Sequence, residues 1–277
     1  MKSLSVCILN WNQSDVTLAC IKSLQAILRK GIDQVIVFDN GSNFLELERL
    51  KAGKLNLEFS LIENGVNCGV SGGRNRIVST VHRDSYVMIL DNDTICDVES
   101  FEGRKLFDVV DSFFSSHPKV GVLGFRLLNE DKSRQDSCRR FPSILQPFAS
   151  RIKILQKFTP FSKEIARHLM QDVDFSDPYS INVQVDYVLG TNQIYKKELF
   201  ESIGGYSKDI FYGPEDALFC LQAIEKGYKN YYCSEVSFFH LYRRIGKSSI
   251  KFFVHGLMGF LHFYKVRGKW GRIKPNA

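Results

Sequence analysis

The run YVMILDND, residues 86–93, decides the fold. Tyr86–Leu90 is an apolar stretch of strand length, too short for a helix, and it stops at Asp91-Asn92-Asp93. Outward from it the same device recurs. Leu4–Leu9 (LSVCIL) stops at Asn10-Trp11-Asn12, and Val35–Phe38 stops at Asp39-Asn40-Gly41-Ser42. A third strand, roughly Leu57–Glu63, runs into the Gly/Asn-rich segment 64–75. Ser14 or Asp15 is placed to cap a helix running to about Arg29, with Val16, Ala19, Cys20, Ser23, Leu24 and Ile27 on one face and Gly31 as its stop. A second helix is expected over 73–82. Strand–helix–strand units of this kind predict an α/β fold, a mostly parallel central sheet with helices on both faces. Ligands of such sheets sit beyond the carboxyl ends of the strands, so the polar clusters are expected to share one crevice.

Towards the C-terminus, Val120–Leu128 has strand character, as does Val183–Leu189, which is followed by Gly190-Thr191-Asn192. Lys197–Ser202 reads as a short helix, Gly204-Gly205 as a turn, Glu215–Gly227 as a helix, and Tyr231–Phe239 as a last strand ending at His240. Residues 129–182 mix basic, Pro-containing and amphipathic pieces without a clear period. Length and composition agree with a folded body: 277 residues, 44% hydrophobic and 24% charged, exclude a disordered chain. No apolar run reaches the roughly 18–20 residues of a membrane span, and the first residues lack the pattern of a signal peptide. Seven scattered cysteines without a CxxC pair read as buried free thiols in a reducing compartment. The net charge of +7 belongs to the end of the chain: nine Lys/Arg and no Asp/Glu follow residue 240. That argues for one local anionic contact and against nucleic acid along the whole surface.

Three clusters carry chemistry. Asp91 and Asp93, at i and i+2 on a turning chain, can face one hard cation and the phosphates it bridges, although the same spacing is common in solvated turns. Glu215-Asp216 opens a helix; acidic residues there complement the helix dipole, or one carboxylate serves as a general base. His240 ends an aromatic strand, either as a structural residue or as an imidazole completing a cation site with Asp93, and Arg243, Arg244 and Lys247 beyond it can meet diphosphate oxygens. The glycine-rich segment Asn67–Asn75 is not the dinucleotide fingerprint, because it does not follow the first strand. It is a tight turn or a place where backbone approaches a nucleotide, with Arg74 as a contact.

With these residues in place the chain resembles family 2 glycosyltransferases of the GT-A fold, in pattern close to the bacterial rhamnosyltransferase-like members. The likeness covers about residues 3–245 and rests on SVCILNWN, VIVFDNGS, NCGVSGGRN, VMILDND, GTNQIYKKELFESIGGYSKDIFYGPED, AIEKGYK and FFHL, in that order. The resemblance implies transfer of a sugar from a nucleotide-diphosphate donor to a hydroxyl with inversion at the anomeric carbon, using Mn2+ or Mg2+. Asn10 and Asp39 would contact the base or ribose, and Asn67, Gly72, Arg74 and Asn75 would line the nucleotide pocket. Asp91 would lie at both donor and metal. Asp93 and His240 would complete the metal site, and Arg244 and Lys247 would meet the diphosphate. Asp216 would be the catalytic base, with Glu215 as second candidate. Residues 1–125 would form the nucleotide-sugar half, 126–240 the acceptor-side half, and 241–277 a basic amphipathic tail. Family members often carry Glu-Asp-x-Asp-Leu followed by an arginine; Leu218 and Gln222 depart from that pattern.

The tail holds FFVHGLMGFLHFY (252–264) between Lys251 and Lys265. About 20 Å of helix is too short to cross a bilayer. It either packs on the body or lies on anionic lipid through residues 243–274, with Trp270 among its anchors. The expected partners are a nucleotide-sugar donor and a glycan or lipid-linked glycan acceptor in bacterial surface polysaccharide assembly; nucleic acid is not expected. The expected location is cytoplasmic, with peripheral contact at the inner face of the membrane. A sugar-phosphate nucleotidyltransferase would need a lysine-bearing glycine loop after the first strand, which Asn10-Trp11-Asn12 does not supply. A catalytically silent nucleotide-sugar or glycan-binding subunit is the other alternative.

Overall fold

The computed structural model describes residues 2–177, 180–241 and 250–268. The chain opens with β1 (Ser3–Asn10), α1 (Ser14–Leu24), β2 (Asp33–Asn40), α2 (Phe44–Gly53), β3 (Ser60–Asn64), α3 (Gly69–Ser79), β4 (Ser85–Asp91) and β5 (Thr94–Cys96). It continues through α4 (Leu106–Ser116), β6 (Val120–Leu128), β7 (Cys138–Arg139), α5 (Gln146–Arg151), α6 (Thr159–His168), β8 (Asn182–Val185), β9 (Tyr187–Val188) and β10 (Asn192–Lys196). It closes with α7 (Lys197–Ile203), α8 (Glu215–Glu225), β11 (Lys229–His240) and α9 (Ile250–Arg267). The main sheet runs β3-β2-β1-β4-β10-β6-β11-β5, with β8 also on β11. β3, β2, β1 and β4 are parallel neighbours, and β11 is parallel to β6. β10 is antiparallel to both β4 and β6, so those two share a direction and the sheet is mostly parallel.

Period-two alternation sends one set of strand residues to each face, and both faces are covered. Leu4, Val6, Ile8, Val35, Val37, Met88 and Leu90 pack with Cys20, Ile21 and Leu24 of α1 and Val109, Val110 and Phe113 of α4. Cys7, Ile36, Phe38, Val87 and Ile89 pack with Ile77 and Val78 of α3, Leu199 of α7 and Phe219 of α8. All seven cysteines are free and six are buried, as the sequence suggested.

The departures from the sequence reading have local causes. α1 begins at Ser14 without a side-chain cap of its own; the Ser14 N–H donates to Glu46 Oε2 at 2.8 Å, so the cap comes from α2, which the periodicity did not reveal. It ends at Leu24 rather than near Arg29, and Ala19 is exposed. α3 starts four residues earlier than expected, so the glycine-rich segment is the first turn of the helix. The expected strand 183–189 is two strands on different sheets, β8 on β11 and β9 on β7, with Asp186 between them accepting from the Phe141 N–H at 2.7 Å. β10 was not anticipated, because its polar Asn192 and Gln193 mask a strand that is almost wholly buried. Gln193 lies in the core because its amide donates to the Val188 carbonyl (3.0 Å) and accepts from the Tyr206 hydroxyl (2.9 Å).

One side of α9 meets the body, as one of the two readings of the tail has it: Tyr264 Oη donates to the Ser143 carbonyl (2.6 Å), Arg267 donates to the Pro142 carbonyl (2.9 Å), and His255 stacks on Phe211. Gly259 is required there, since a Cβ would run into the Gly213 carbonyl oxygen. Trp270 lies outside the described residues, as do Arg243, Arg244 and Lys247.

Candidate active site

The carboxyl ends of β1, β2 and β4 open on one cleft, lined by Asn10, Trp11, Asn40, Asn67, Gly69, Arg74, Asp91, Asp93 and Tyr212 among others. The parallel register makes this unavoidable. Asn10 lies beside Asp39 across β1–β2, and Leu9 lies beside Asp91 across β1–β4. β5 then pairs antiparallel with the end of β11, His240 opposite Thr94, which carries His240 to Asp93. His240 Nε2 stands 3.3 Å from Asp93 Oδ1. One donor atom from each of Asp91, Asp93 and His240 lies within 4.8 Å of the others.

This cluster fits a divalent cation. Ligands about 2.1 Å from a six-coordinate ion sit roughly 3 Å apart at right angles, close to the Asp93–His240 separation. Gln135 fixes the imidazole. Its Nε2 donates to the His240 carbonyl (2.9 Å) and to Asn129 Oδ1 (2.8 Å), which leaves Oε1 to face His240 Nδ1 at 2.9 Å. Nδ1 therefore carries the proton, and Nε2 is presented to the carboxylates. Burial works against charging this imidazole, but the hydrogen bond it donates to Asp93 and the charge of Asp91 outweigh it and raise its pKa. The position that attracts a proton is one that a cation can take instead.

Arg74 is the hub between this cluster and the start of α8. The side chain is buried, with Nη1 3.0 Å from Glu215 Oε1 and Nη2 3.0 Å from the Gly190 carbonyl and 3.4 Å from Asp91 Oδ1. Gly190 must be glycine here, because a Cβ would lie 2.5 Å from the guanidinium. Asp91 Oδ2 also accepts from the Thr191 hydroxyl (3.0 Å). Asp216 is half-buried and its Oδ2 accepts from the Gly190 N–H (3.0 Å), so Gly190 joins the base candidate to the Arg74 network. Glu215 is buried against Arg74; burial, with the charge of Asp216, pushes its carboxyl upward while Arg74 opposes. That position makes Glu215, the second base candidate, a partner of Arg74.

The other expected contact residues are engaged within the protein. Asp39 is 1% exposed, and its oxygens accept from Asn10 Nδ2, the Ser42 N–H and the Ser42 hydroxyl. It holds the turn after β2, and Asn40 forms the cleft wall instead. Asn10 reaches the cleft while bonded to Asp39 and Thr17. Asn75 is spent on the Tyr206 backbone, donating at 2.8 Å and accepting at 2.8 Å, so it ties α3 to the turn before α8. Gly72 lies inside α3 against Cys68, and the glycine that lines the cleft is Gly69, at φ +77 and packed against Phe211. Asn67 keeps its place on the wall, accepting from the Gly69 N–H (2.9 Å). Leu218 is a core residue of α8.

Trp11 and Tyr212, exposed aromatics on the cleft, went unassigned in the sequence although Trp11 lies within a quoted motif. Gln135 and Arg139 were also missed. Arg139 is close enough to Tyr187 and Asp216 for their charges to oppose the effect of its burial and raise its pKa. Both lie where no periodicity marks them.

The fold and the cleft now bear comparison with known proteins. A mannosyltransferase from Pyrobaculum calidifontis, solved with GDP-Man and Mn2+, is similar over 98% of this chain and 66% of its own, with TM-score 0.60 and 14% identity. GalNAc-T7, solved with UDP, GalNAc and Mn2+, is similar over 95% of this chain and 48% of its own, with TM-score 0.65 and 15% identity. TarS residues 1–349 from S. aureus are similar over 86% of this chain and 60% of their own, with TM-score 0.53 and 15% identity. The chain thus spans about half to two thirds of these structures. No curated protein matches it in sequence. The architecture is that of the GT-A glycosyltransferases. Within that class the chain belongs to glycosyl transferase family 2, whose model matches residues 5–204.

Proposed function

We propose that the protein is a metal-dependent inverting glycosyltransferase, moving a hexosyl or rhamnosyl group from a nucleotide-diphosphate donor to a hydroxyl of a glycan or lipid-linked glycan acceptor. The observation that carries this reading is the convergence of Asp91, Asp93 and His240 at one end of a buried Arg74 network whose other end reaches Asp216. Asp91, Asp93 and His240 would hold Mn2+ or Mg2+, which would supply charge stabilisation to the departing diphosphate. The rest falls to the chain. Trp11 and Tyr212 offer aromatic faces to the base, and Asn10, Asn40 and Asn67 offer polar contacts to the nucleoside. Arg74 holds Asp91 and Glu215 in place by charge-assisted bonds. Asp216 Oδ2 takes the acceptor hydroxyl proton as that oxygen attacks the anomeric carbon opposite the diphosphate. One displacement inverts the carbon and needs no Ser or Cys nucleophile.

In this reading residues 1–125 serve the donor and 126–240 the acceptor, with Arg139 beside Asp216 on the acceptor side. A role in bacterial surface polysaccharide assembly at the cytoplasmic face fits the free thiols. The test is a panel of nucleotide sugars with Mn2+, following donor turnover and, once an acceptor is found, the anomeric configuration of the product. Asp216→Asn should lower turnover by about 10²–10⁴ while donor binding persists. Equal turnover before and after that substitution, or retained anomeric configuration, would overturn the mechanism.

A further inference from the structure

α9 carries apolar residues over most of its circumference, and the body covers one side of it. Gly256, Gly259 and Phe263 face inward and are buried. Val254, Leu257, Met258 and Leu261, spaced i, i+3, i+4, i+7, face outward and are 43–62% exposed. The C-terminal end of α9 is bonded to Pro142 and Ser143. The segment that begins there carries a second apolar set: Phe148, Ile152, Ile154 and Phe158 are 45–63% exposed. So much uncovered apolar side chain on two joined elements marks a contact surface.

The charge around it identifies the contact. Residues 137–163 hold six Lys/Arg and no Asp/Glu, and residues 241–277 hold nine and none. The rest of the chain has 22 Lys/Arg against 30 Asp/Glu, a net −8. Lys153 and Lys157 of the segment 144–158 and Lys265 of α9 are exposed.

We infer that the outer face of α9 and the segment 144–158 dock together on an anionic lipid bilayer. Apolar side chains enter the interface and lysines reach the headgroups. The helix lies on the membrane rather than across it: no helix among the described residues is long and apolar enough to span. A second copy of the chain is a poor occupant, since it would bring the same positive charge to the contact. The surface adds the segment 144–158 to the helix of the basic tail, and it does not depend on the glycosyl-transfer reading.

Sedimentation of the full chain with phosphatidylcholine vesicles, with and without phosphatidylglycerol, tests this. Binding is expected to the anionic vesicles, to weaken in high salt, and to be much weaker on neutral ones. The double substitution Lys153→Gln/Lys157→Gln should weaken it roughly 30-fold. Leu257→Ser/Leu261→Ser should weaken it as well, with circular dichroism and melting unchanged. Equal binding to both vesicle types, or none to either, overturns the proposal. A dimer in light scattering that Leu257→Ser dissolves, without vesicle binding, assigns the face to a second copy instead.

Discussion

At the scale of single residues, Arg74 has the largest expected effect. Removing one member of a buried ion pair leaves the other charged and unpaired, at a cost of about 3–5 kcal/mol. Arg74→Ala should therefore lower stability by that amount in urea titrations. Arg74→Met combined with Glu215→Leu should recover most of it, and both variants should lose turnover, because Asp91 and Gly190 lose their shared partner. Gln135 gives a separate test. Gln135→Leu frees His240 Nδ1 and should weaken Mn2+ binding, measured by calorimetry, by about 10–100-fold without altering the circular dichroism spectrum. The sequence showed Asp91, Asp93, Asp216 and His240 because each ends or begins an element with a clear apolar pattern. It did not show that Asp39 and Asn75 also hold backbone, because a polar residue at a strand end or helix face looks the same whether it meets ligand or backbone. Gln135 could not be found, since its role depends on two residues, distant His240 and Asn129 in irregular chain.

Elements with strong periodicity were legible: β6 falls at Val120–Leu128 and α8 begins at Glu215, as expected. β10 and the β8–β9 break were not, because buried amides and a mid-strand carboxylate disguise strands that only tertiary partners satisfy. α6 carries a pH-sensitive element of the same kind. His168 at its end is buried, its Nδ1 2.8 Å from the Arg140 carbonyl, and burial together with the charge of Arg139 depresses its pKa to about 3. The unfolded side chain takes a proton near pH 6.5, so acid favours unfolding. The stability this neutral imidazole contributes is intact above that pH and is lost progressively as pH falls towards 3. Between pH 7 and pH 5 the wild type should lose about 2 kcal/mol more than His168→Asn, read as the difference between their urea midpoints.

For the whole molecule, strand order rather than any one motif builds the site. Reading three strand tips as one crevice was sound because parallel neighbours align their carboxyl ends. The antiparallel β5–β11 pairing that brings in His240 had no sequence signal beyond the position of the histidine. Mn2+ at a hundredfold excess over its dissociation constant should stabilise the fold by about 2.7 kcal/mol, seen as a raised melting temperature that chelator reverses and Asp93→Asn abolishes. Since His240 is the final residue of β11, ion capture has to wait until that strand has zipped alongside both β6 and β5. Manganese uptake during refolding is thus a clock for the last stage of assembly. It should lag behind the recovery of helical signal, and a chain cut short before residue 240 should regain most of its secondary structure yet never load the ion.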